Sequence, residues 1–326
     1  MEFIKPSFEI WEEKNIWKHI AKCTRVCYQS TPKNENETNE EFVKRVILRN
    51  GTEPDFEKLH GAMLEHGTIY LFVPWNDEEV TELPEIIKHY CNNPHSRECY
   101  VYQNTNNPGS YITTNLRVIY ENNYLDDLKY SCIPTKYHAK RVTVCFNTNI
   151  GVTREFNRHR VNSIAEESTR YCNYNKRNDG QLKIGLPSWL LNETSLANIK
   201  NKQHCDITEY CNDVIYCSDL KSNWSDIDYY LFALTVAEFC YNSLIEKGWK
   251  PQQAREVLPL ATKSQLIHTA YIDDWIHFFK LRAVGVSGAP HPNAQLIARP
   301  LYVEFVNRGY IDELIQDTIG KYNIKL

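Results

Sequence analysis

The sequence predicts an α+β domain, because strands and helices follow one another without the regular alternation of βαβ units. The clearest strand lies at 142–148, where every second residue from Val142 to Phe146 is apolar, the period-two pattern of a half-buried strand. Two more segments, 68–73 and 111–119, have the composition of strands. Helical segments surround all three strands, which favours separate layers of helix and sheet.

The first helices are predicted from their boundaries. The polar stretch 32–40 is typical of a loop, and it leads into a helix near 40–50. Gly151 interrupts the strand pattern, and the segment 152–161 that follows fits a helix or its first turns.

The C-terminal third is predicted to be mostly helical. Its clearest helix is 226–247, which Gly248 ends. Two further helices are expected near 273–282 and 293–308, and Pro300 inside the second should kink or break it.

Length and composition indicate a single domain. The chain has 326 residues, of which 42% are apolar, enough for one large domain or two small ones. Since no repeat, low-complexity tract or clear linker divides it, one domain spanning 1–326 is predicted. Residues 75–140, rich in Asn, Tyr and Pro, would form an elaborated region or insertion within it.

Charge and cysteine usage exclude several function classes. A net charge of −4 and a pI near 6.3 argue against a general nucleic-acid binder, which is normally basic. The eleven cysteines include no Cys-x-x-Cys pair, and no metal site is predicted. The N-terminus has no apolar signal core, and no apolar run approaches membrane-spanning length. We therefore expect a cytoplasmic protein with reduced thiols that binds neither nucleic acid nor membranes.

The segment 158–171 carries the densest chemistry of the chain. Three arginines and a histidine stand beside two carboxylates and three serine or threonine hydroxyls within fourteen residues. Arginine presents a planar fork of donors that matches phosphates and the edges of carbonyls and nucleobases. The residue types therefore indicate a site for an anionic, ring-bearing ligand, most simply a nucleotide. The alternative is a solvated salt-bridge network with Glu155, Glu166 and Glu167, because charge runs usually face water.

The spacing in this segment resembles the signature of the flavin-dependent thymidylate synthases. Arg158-His159-Arg160 is followed after seven residues by Ser168, and after one more residue by Arg170.

Other segments extend this resemblance, in the family's order, from about residue 16 to 309. Residues 60–68 resemble the family's His-x-x-x-x-Glu-His element, and 254–260 resemble its Ala-Arg-x-x-Leu-Pro segment. Residues 273–282 resemble the segment whose final arginine contacts the uracil ring, and 294–295 match a closing Ala-Gln.

The resemblance implies a mostly antiparallel sheet flanked by helices, and a homotetramer with active sites between subunits. It implies reductive methylation of dUMP to dTMP, with 5,10-methylenetetrahydrofolate as one-carbon donor and NADPH as reductant through bound FAD. No Gly-x-Gly-x-x-Gly turn is present, so side chains and helix ends would hold the flavin. The unrelated classical thymidylate synthase is disfavoured, because no cysteine stands in its Pro-Cys-His context.

The resemblance also assigns roles to residues. Arg282 would be catalytic and would stabilise negative charge that develops on the uracil ring. With Arg282, the residues predicted to bind dUMP are Glu155, Arg158, Glu166, Glu167, Ser168, Thr169, Arg170 and Arg255. The residues predicted to bind FAD are His66, Thr68, Arg158, His159, Arg160, Glu166 and His277. A nucleophilic role for Ser168 is disfavoured, because nothing at Ser-His-Asp spacing accompanies it.

Five positions depart from the family pattern: Glu155, Ala165, Gln252, Tyr271 and Asp273. Many members have Gln at the first position, and several have Asn and Arg near the flavin at the last two. Two rival functions therefore stay open. A non-enzymatic nucleotide or RNA binder would be colourless and would bind with a steep salt dependence. A non-synthase flavoprotein, or a relic that only oxidises NADPH, would lack dUMP-dependent folate chemistry.

Overall fold

The structure is a computed structural model, which describes residues 1–28, 30–49, 61–75, 84–101, 108–174, 180–202 and 224–311. In these ranges the strands are β1 (Glu2–Ile4), β2 (Ser7–Trp11), β3 (Thr68–Pro74), β4 (Arg97–Val101), β5 (Gly109–Asn115), β6 (Arg141–Asn149), β7 (Ser163–Glu166), β8 (Lys183–Gly185) and β9 (Lys263–Tyr271). The α-helices are α1 (Ile16–Tyr28), α2 (Asn39–Val46), α3 (Glu85–Cys91), α4 (Leu116–Glu121), α5 (Ile150–Phe156), α6 (Glu193–Lys202), α7 (Asp226–Glu246), α8 (Pro251–Ala254), α9 (Ile272–Phe279) and α10 (Pro292–Asn307).

Short turns of other helix types complete the regular structure. The 3-10 turns are Gly61–His66, Leu125–Tyr130, Ser188–Leu190 and Arg255–Val257. A π-helical turn, Lys280–Val284, directly follows α9.

A four-stranded antiparallel sheet with the order β2-β6-β9-β7 forms the centre of the fold. Its longest pairing joins β6 to β9, from Arg141 opposite Tyr271 to Asn149 opposite Lys263. The short strand β7 lies at one edge and pairs only with β9 among the described strands. The predicted α+β class with a mostly antiparallel sheet is thus confirmed.

Helices cover both faces of this central sheet. On one face, Val144 and Phe146 of β6 pack with Trp275 of α9 in an apolar cluster that α10 completes. On the other face, Cys145 packs in a second cluster with Ile20 of α1 and with α2. The prediction that β6 is half-buried was therefore wrong, because its alternate residues face two different cores and neither face meets water.

Two smaller sheets lie beside the central one. The antiparallel sheet β3-β5-β4 includes much of the region predicted to be elaborated, whereas β1 and β8 form a parallel pair. Ile184 of β8 packs against Leu234 and Tyr241 of α7. The prediction of a single domain with an insertion at 75–140 stays a prediction.

Asparagine side chains end two strands and begin the helices that follow them. Asn115 Oδ1 accepts a hydrogen bond from the backbone N–H of Val118 at 3.1 Å, and Asn149 Oδ1 accepts one from Val152 N–H at 2.9 Å. These caps satisfy N–H groups that a helix start leaves without partners. The strand predicted over 111–119 was therefore too long, since its last four residues belong to α4.

The predicted C-terminal helices are present with small differences in extent. The helix predicted at 226–247 is confirmed as α7, and Gly248 follows it with a φ of 90°, the left-handed conformation that glycine adopts readily. The helix predicted near 293–308 is α10, which continues through Pro300 without a break. Among the described residues, no helix is both long and apolar enough to cross a membrane.

Two of the departing positions, Tyr271 and Asp273, join the central sheet to the three-stranded one. The Tyr271 hydroxyl donates to the carbonyls of Thr113, at 2.8 Å, and His95, at 3.0 Å. Asp273 pairs with Arg97 of β4 at 3.3 Å. Burial raises the pKa of Tyr271 to about 12, so its hydroxyl stays a donor. In this chain these two side chains therefore contact the predicted insertion at 75–140.

Candidate functional site

A cavity of about 630 Å³ opens beside the edge strand β7. The end of α1, the start of α5 and the segments after β7 and α8 enclose it. Its lining residues are Cys27, Tyr28, Ile150, Arg154, Glu166, Glu167, Ser168, Thr169, Arg170, Tyr171, Arg255, Glu256, Leu258, Pro259 and Leu260. Six of the residues predicted to bind dUMP are in this set: Glu166, Glu167, Ser168, Thr169, Arg170 and Arg255.

Backbone hydrogen bonds direct the chain from β7 along the cavity. Glu167 N–H donates to the carbonyl of Gln265 in β9 at 2.8 Å, and Ser168 N–H donates to the carbonyl of Cys27 in α1 at 2.9 Å. The chain therefore leaves the sheet edge at this point and crosses to α1. Ser168 Oγ accepts from the N–H of Arg170 at 3.3 Å, so the two residues lie in one tight turn.

The carboxylate of Glu166 is held by three side-chain donors. Its Oε1 accepts from the hydroxyls of Thr153, at 2.6 Å, and Ser264, at 3.0 Å. Its Oε2 accepts from the amide of Asn157 at 2.9 Å. A carboxylate offers roughly four acceptor positions, so Glu166 is fixed in orientation and keeps about one position for a ligand donor.

Glu167 is a buried carboxylate that neutralises a lysine. It is 5% exposed, and its Oε2 accepts from Lys263 Nζ at 2.7 Å and from the N–H of Gln265 at 3.3 Å. Because the two charges compensate each other, this wall of the cavity adds little net charge.

Three arginines supply the positive charge of the cavity. Arg255 Nη1 donates to the hydroxyl of Thr169 at 3.2 Å, and its Nε lies 3.7 Å from a Glu256 oxygen. Arg154 and Arg170 have no ion-pair partner in the described part of the chain, and both are exposed. Such guanidinium groups favour binding of a phosphate.

Aromatic rings stand beside these cations. The rings of Tyr28 and Tyr171 meet edge to face at 5.7 Å, and the guanidinium carbon of Arg170 lies 5.4 Å from the Tyr171 ring. Tyr171 is 58% exposed, so its face is accessible to a ligand ring. The cavity thus combines guanidinium donors with an aromatic surface.

The nucleophile candidates at the cavity are not activated. Burial raises the pKa of the Cys27 thiol to about 12, so it stays protonated and unreactive at neutral pH. In the described residues no histidine hydrogen-bonds to Ser168 Oγ, whose bond to Arg170 N–H is its only one there. A hydroxyl without a base is a poor nucleophile, which favours a ligand-binding role for Ser168.

Arg282 lies outside this cavity, on the π-helical turn after α9. Its Nη1 donates to Glu155 Oε2 at 2.6 Å, its Nη2 donates to the backbone carbonyl of Glu155 at 2.7 Å, and its Nε donates to His159 Nε2 at 3.2 Å. The carbonyl of Glu155 belongs to the last turn of α5, where carbonyls have no partner within the helix. Arg282 therefore binds the C-terminal end of α5, where a cation is favoured.

Residues predicted to bind FAD surround this arginine. His159 is buried, and its ring lies 5.8 Å from that of exposed His277. Burial, and then the charges of Arg282 and His277, lower the pKa of His159 to about 4, so its neutral Nε2 can accept from Arg282. Arg158 and Arg160 are exposed in the turn after α5 and have no ion-pair partner among the described residues.

His66 lies in a third place, beneath the central sheet. Its Nδ1 is 2.8 Å from the hydroxyl of Thr269, which is 2.7 Å from that of Thr143. Thr143 in turn lies 3.0 Å from Nε2 of His19 in α1. The two threonines meet because they are opposite each other in β6 and β9. His66 is therefore part of a buried chain of hydrogen bonds, and His60 lies outside the described residues.

Thr68 belongs to a neighbouring polar cluster around Arg141. Arg141 Nη1 donates to the Thr68 hydroxyl at 3.2 Å and to the carbonyl of Glu65 at 3.0 Å. Its Nη2 donates to the Ser163 hydroxyl at 2.9 Å. Ser163 begins β7 and Glu166 ends it, so this cluster and the cavity lie roughly 10 Å apart along the strand.

Several lining residues were not found from the sequence. Arg154 stands just before the arginine-rich segment, so that segment could have been extended by one helical turn to include it. Tyr28 carries no comparable signal, because it reaches the cavity only through the packing of α1. The departing residues Ala165 and Gln252 lie apart from the cavity lining, the first buried in β7 and the second exposed on α8.

Comparison with known proteins assigns this arrangement to a family. Residues 135–307 match the family described as thymidylate synthase complementing protein. The chain belongs to that family. The matched range includes the cavity segments after β7 and α8 and also Arg282, so the resemblance found in the sequence is confirmed there. The His66 element precedes the matched range, and its role stays a prediction.

Individual proteins are also similar to this chain. A probable flavin-dependent thymidylate synthase of Paramecium bursaria Chlorella virus 1 is 24% identical over 181 residues, which are 54% of this chain and 74% of that protein. Two crystal structures of the UMP/dUMP methylase PolB from Streptomyces cacaoi, bound with 5-Br dUMP and 5-Br UMP, are 21% and 22% identical. They have TM-scores of 0.35 and 0.34 and cover 51% of this chain and 67% and 69% of their own chains.

Proposed function

We propose that this protein is a flavin-dependent thymidylate synthase, a methyltransferase that converts dUMP to dTMP. In the balanced reaction, dUMP, 5,10-methylenetetrahydrofolate, NADPH and a proton give dTMP, tetrahydrofolate and NADP⁺. Membership of the family and the chemistry of the cavity both support this proposal.

The observation that carries the proposal is the grouping of phosphate-binding donors in one cavity. Arg170 and Arg255 come from segments 85 residues apart, yet both line it together with the hydroxyls of Ser168 and Thr169. These groups would hold the phosphate of dUMP by charge-assisted hydrogen bonds. A cavity of this size is also suited to a small ligand, since such sites have volumes of roughly 300 to 1,000 Å³.

The position of Arg282 supports a site shared between subunits. Arg282 is the residue proposed to stabilise charge on the uracil ring, and it does not line the cavity of its own chain. A homotetramer in which the Arg282 region of one subunit faces the cavity of another would bring ring and phosphate contacts together. The exposed Arg158, Arg160 and His277 around Arg282 would then lie at this boundary.

The residues around Arg282 also fit FAD. Arg158 and Arg160 are exposed cations without ion-pair partners in the described residues, which suits a diphosphate. His66 and Thr68 fit less directly, because His66 is buried and Thr68 is hydrogen-bonded to Arg141. We therefore propose Arg158, Arg160 and His277 as the FAD contacts of this chain. When bound, the flavin supplies the hydride that NADPH donates and relays the one-carbon unit.

The chain's own residues would contribute binding and electrostatics. Arg282 would stabilise negative charge on the uracil as C5 becomes nucleophilic, and Glu166 would offer its remaining acceptor position to a donor of the nucleotide. Protonated Cys27 at the cavity would not attack the ring.

The test is a visible spectrum of the purified protein, followed by tritium release from [5-³H]dUMP with NADPH and methylenetetrahydrofolate. We expect a yellow protein that releases tritium only when all components are present. A colourless protein that stays inert after FAD is added would contradict the proposal and favour a binding protein. NADPH oxidation that proceeds equally without dUMP, and releases no tritium when dUMP is present, would instead indicate the non-synthase flavoprotein.

A further inference from the structure

Arg282 keeps part of its donor capacity while Glu155 and His159 fix its orientation. A guanidinium group has five N–H donors, and three of them bind Glu155 Oε2, the Glu155 carbonyl and His159 Nε2. Among the described residues no other acceptor contacts Arg282, so two N–H groups, one on each Nη, are left for a ligand. The side chain of Arg282 is 14% exposed, so a ligand can contact only a small part of it.

Glu155 makes two of these three contacts. Its side chain is 42% exposed, so water screens the pair and the pair contributes little to the stability of the fold. A flexible arginine side chain loses substantial rotamer entropy when it is ordered. The two contacts from one residue, at 2.6 and 2.7 Å, select one orientation of the guanidinium before any ligand arrives.

We infer that Glu155 is a positioning residue, which acts through Arg282 and does not itself bind the nucleotide. This inference rests on the proposed function, in which Arg282 meets the uracil ring. It replaces the direct contact with dUMP that the sequence predicted for Glu155. The required property is an acceptor at Oε, not the negative charge. Glutamine keeps that acceptor, whereas alanine removes it and leaves only the backbone carbonyl.

The kinetic test compares Glu155→Gln and Glu155→Ala in the full-length protein with FAD. Loss of a charge-assisted hydrogen bond that orients a catalytic group is expected to lower kcat for tritium release about tenfold or more in Glu155→Ala. The KM for dUMP should change less, because Arg170 and Arg255 still hold the phosphate. Glu155→Gln should keep kcat within about threefold of the wild type. Wild-type kcat in Glu155→Ala would overturn the inference, and so would equal losses in both variants.

Glu304→Ala is the matched control. Glu304 pairs with Arg308 at 2.7 Å and is 37% exposed. The substitution therefore removes a similar ion pair, at the end of α10, and should leave kcat unchanged. If Glu155 only capped α5 through Arg282, Glu155→Ala would lower stability without separating kcat from KM.

A second readout does not depend on turnover. Burial is the main cause of the lowered pKa of His159, and the charge of Arg282 is the next. Release of the guanidinium in Glu155→Ala should therefore raise that pKa part of the way toward 6.5, as measured by NMR of the imidazole. An unchanged or lower pKa would show that Arg282 stays in place without Glu155, and the inference would be wrong. If the wild type releases no tritium, the proposed synthase function fails, while this titration still decides the role of Glu155.

Discussion

Acid sensitivity is expected to come in large part from one histidine in the main core. His268 of β9 is fully buried, and the rings of Phe146, Trp275 and Phe278 surround it at 5.8 to 6.2 Å. Its Nδ1 lies 3.1 Å from the amide of Asn162, and no carboxylate compensates a positive charge there among the described residues. Burial lowers the pKa of His268 to about 3, from an ordinary value of 6.5.

The sign of the effect follows from the lowered pKa. The folded state keeps His268 neutral between pH 6.5 and about 3, whereas the unfolded chain binds a proton in this window. The stability associated with neutral His268 is therefore fully present above pH 6.5, and the free energy of unfolding decreases as the pH falls below that value. Each pH unit in the window is equivalent to about 1.4 kcal/mol. Between pH 7 and pH 5, His268 alone should lower the free energy of unfolding by about 2 kcal/mol.

The assay is urea unfolding followed by tryptophan fluorescence at pH 7 and pH 5, with free energies from linear extrapolation. His268→Leu should lose about 2 kcal/mol less than the wild type between the two pH values, whatever its stability at pH 7. Other buried histidines contribute equally to both proteins and cancel in this difference. His95→Leu is the control, since His95 is exposed and its substitution should leave the difference near zero. Identical pH dependence in the wild type and His268→Leu would refute the reasoning.

Three further predictions concern the cavity and Arg282. Arg255→Gln should weaken dUMP binding by about tenfold or more, because a charge-assisted hydrogen bond is lost; calorimetry that finds unchanged affinity would exclude Arg255 from the phosphate site. Arg282→Ala should abolish tritium release while the flavin absorbance is retained, and wild-type activity in this variant would remove its catalytic role. Lys263→Met should lower the free energy of unfolding by about 3 kcal/mol, because it leaves the buried Glu167 carboxylate without its lysine. Adding Glu167→Gln should restore most of that loss, and a double variant no more stable than Lys263→Met would argue against the pair.

The fold was predictable where local signals decide the structure. The helix α7 has clear boundaries in the sequence, and β6 has a clear alternation. The central strand β9 was not found, because Ser264, His268 and Thr269 are buried in it and interrupt the apolar run expected of a buried strand. Their polar groups find partners on β7, β6 and neighbouring loops, which only the folded chain brings together.

The composition of the candidate site was predictable from the sequence, but its separation into the cavity and the region around Arg282 was not. The spacing of Ser168 and Arg170, together with the segment around Arg255, predicted residues that the structure places in one cavity. The sequence could not show that Arg282 contacts Glu155 at the end of α5 and not the cavity, because this depends on how the π-helical turn after α9 packs against α5. The burial of His66 was likewise unpredictable, since it follows from how α1 covers the sheet.

The chain of hydrogen bonds from His19 through Thr143 and Thr269 to His66 has a direction. Each hydroxyl has one proton and can also accept. When both hydroxyl protons are used within this chain of hydrogen bonds and Thr143 donates to Thr269, Thr269 donates to His66 and His19 donates to Thr143. The reverse direction exchanges every donor and acceptor. The tautomer of one imidazole therefore dictates that of the other across the sheet. In either direction one unpartnered N–H stands at one end, on His66 Nε2 or on His19 Nδ1, since both atoms lack partners among the described residues. Reversal moves that N–H from one side of the pair of strands to the other, and all three hydrogen bonds must reverse together.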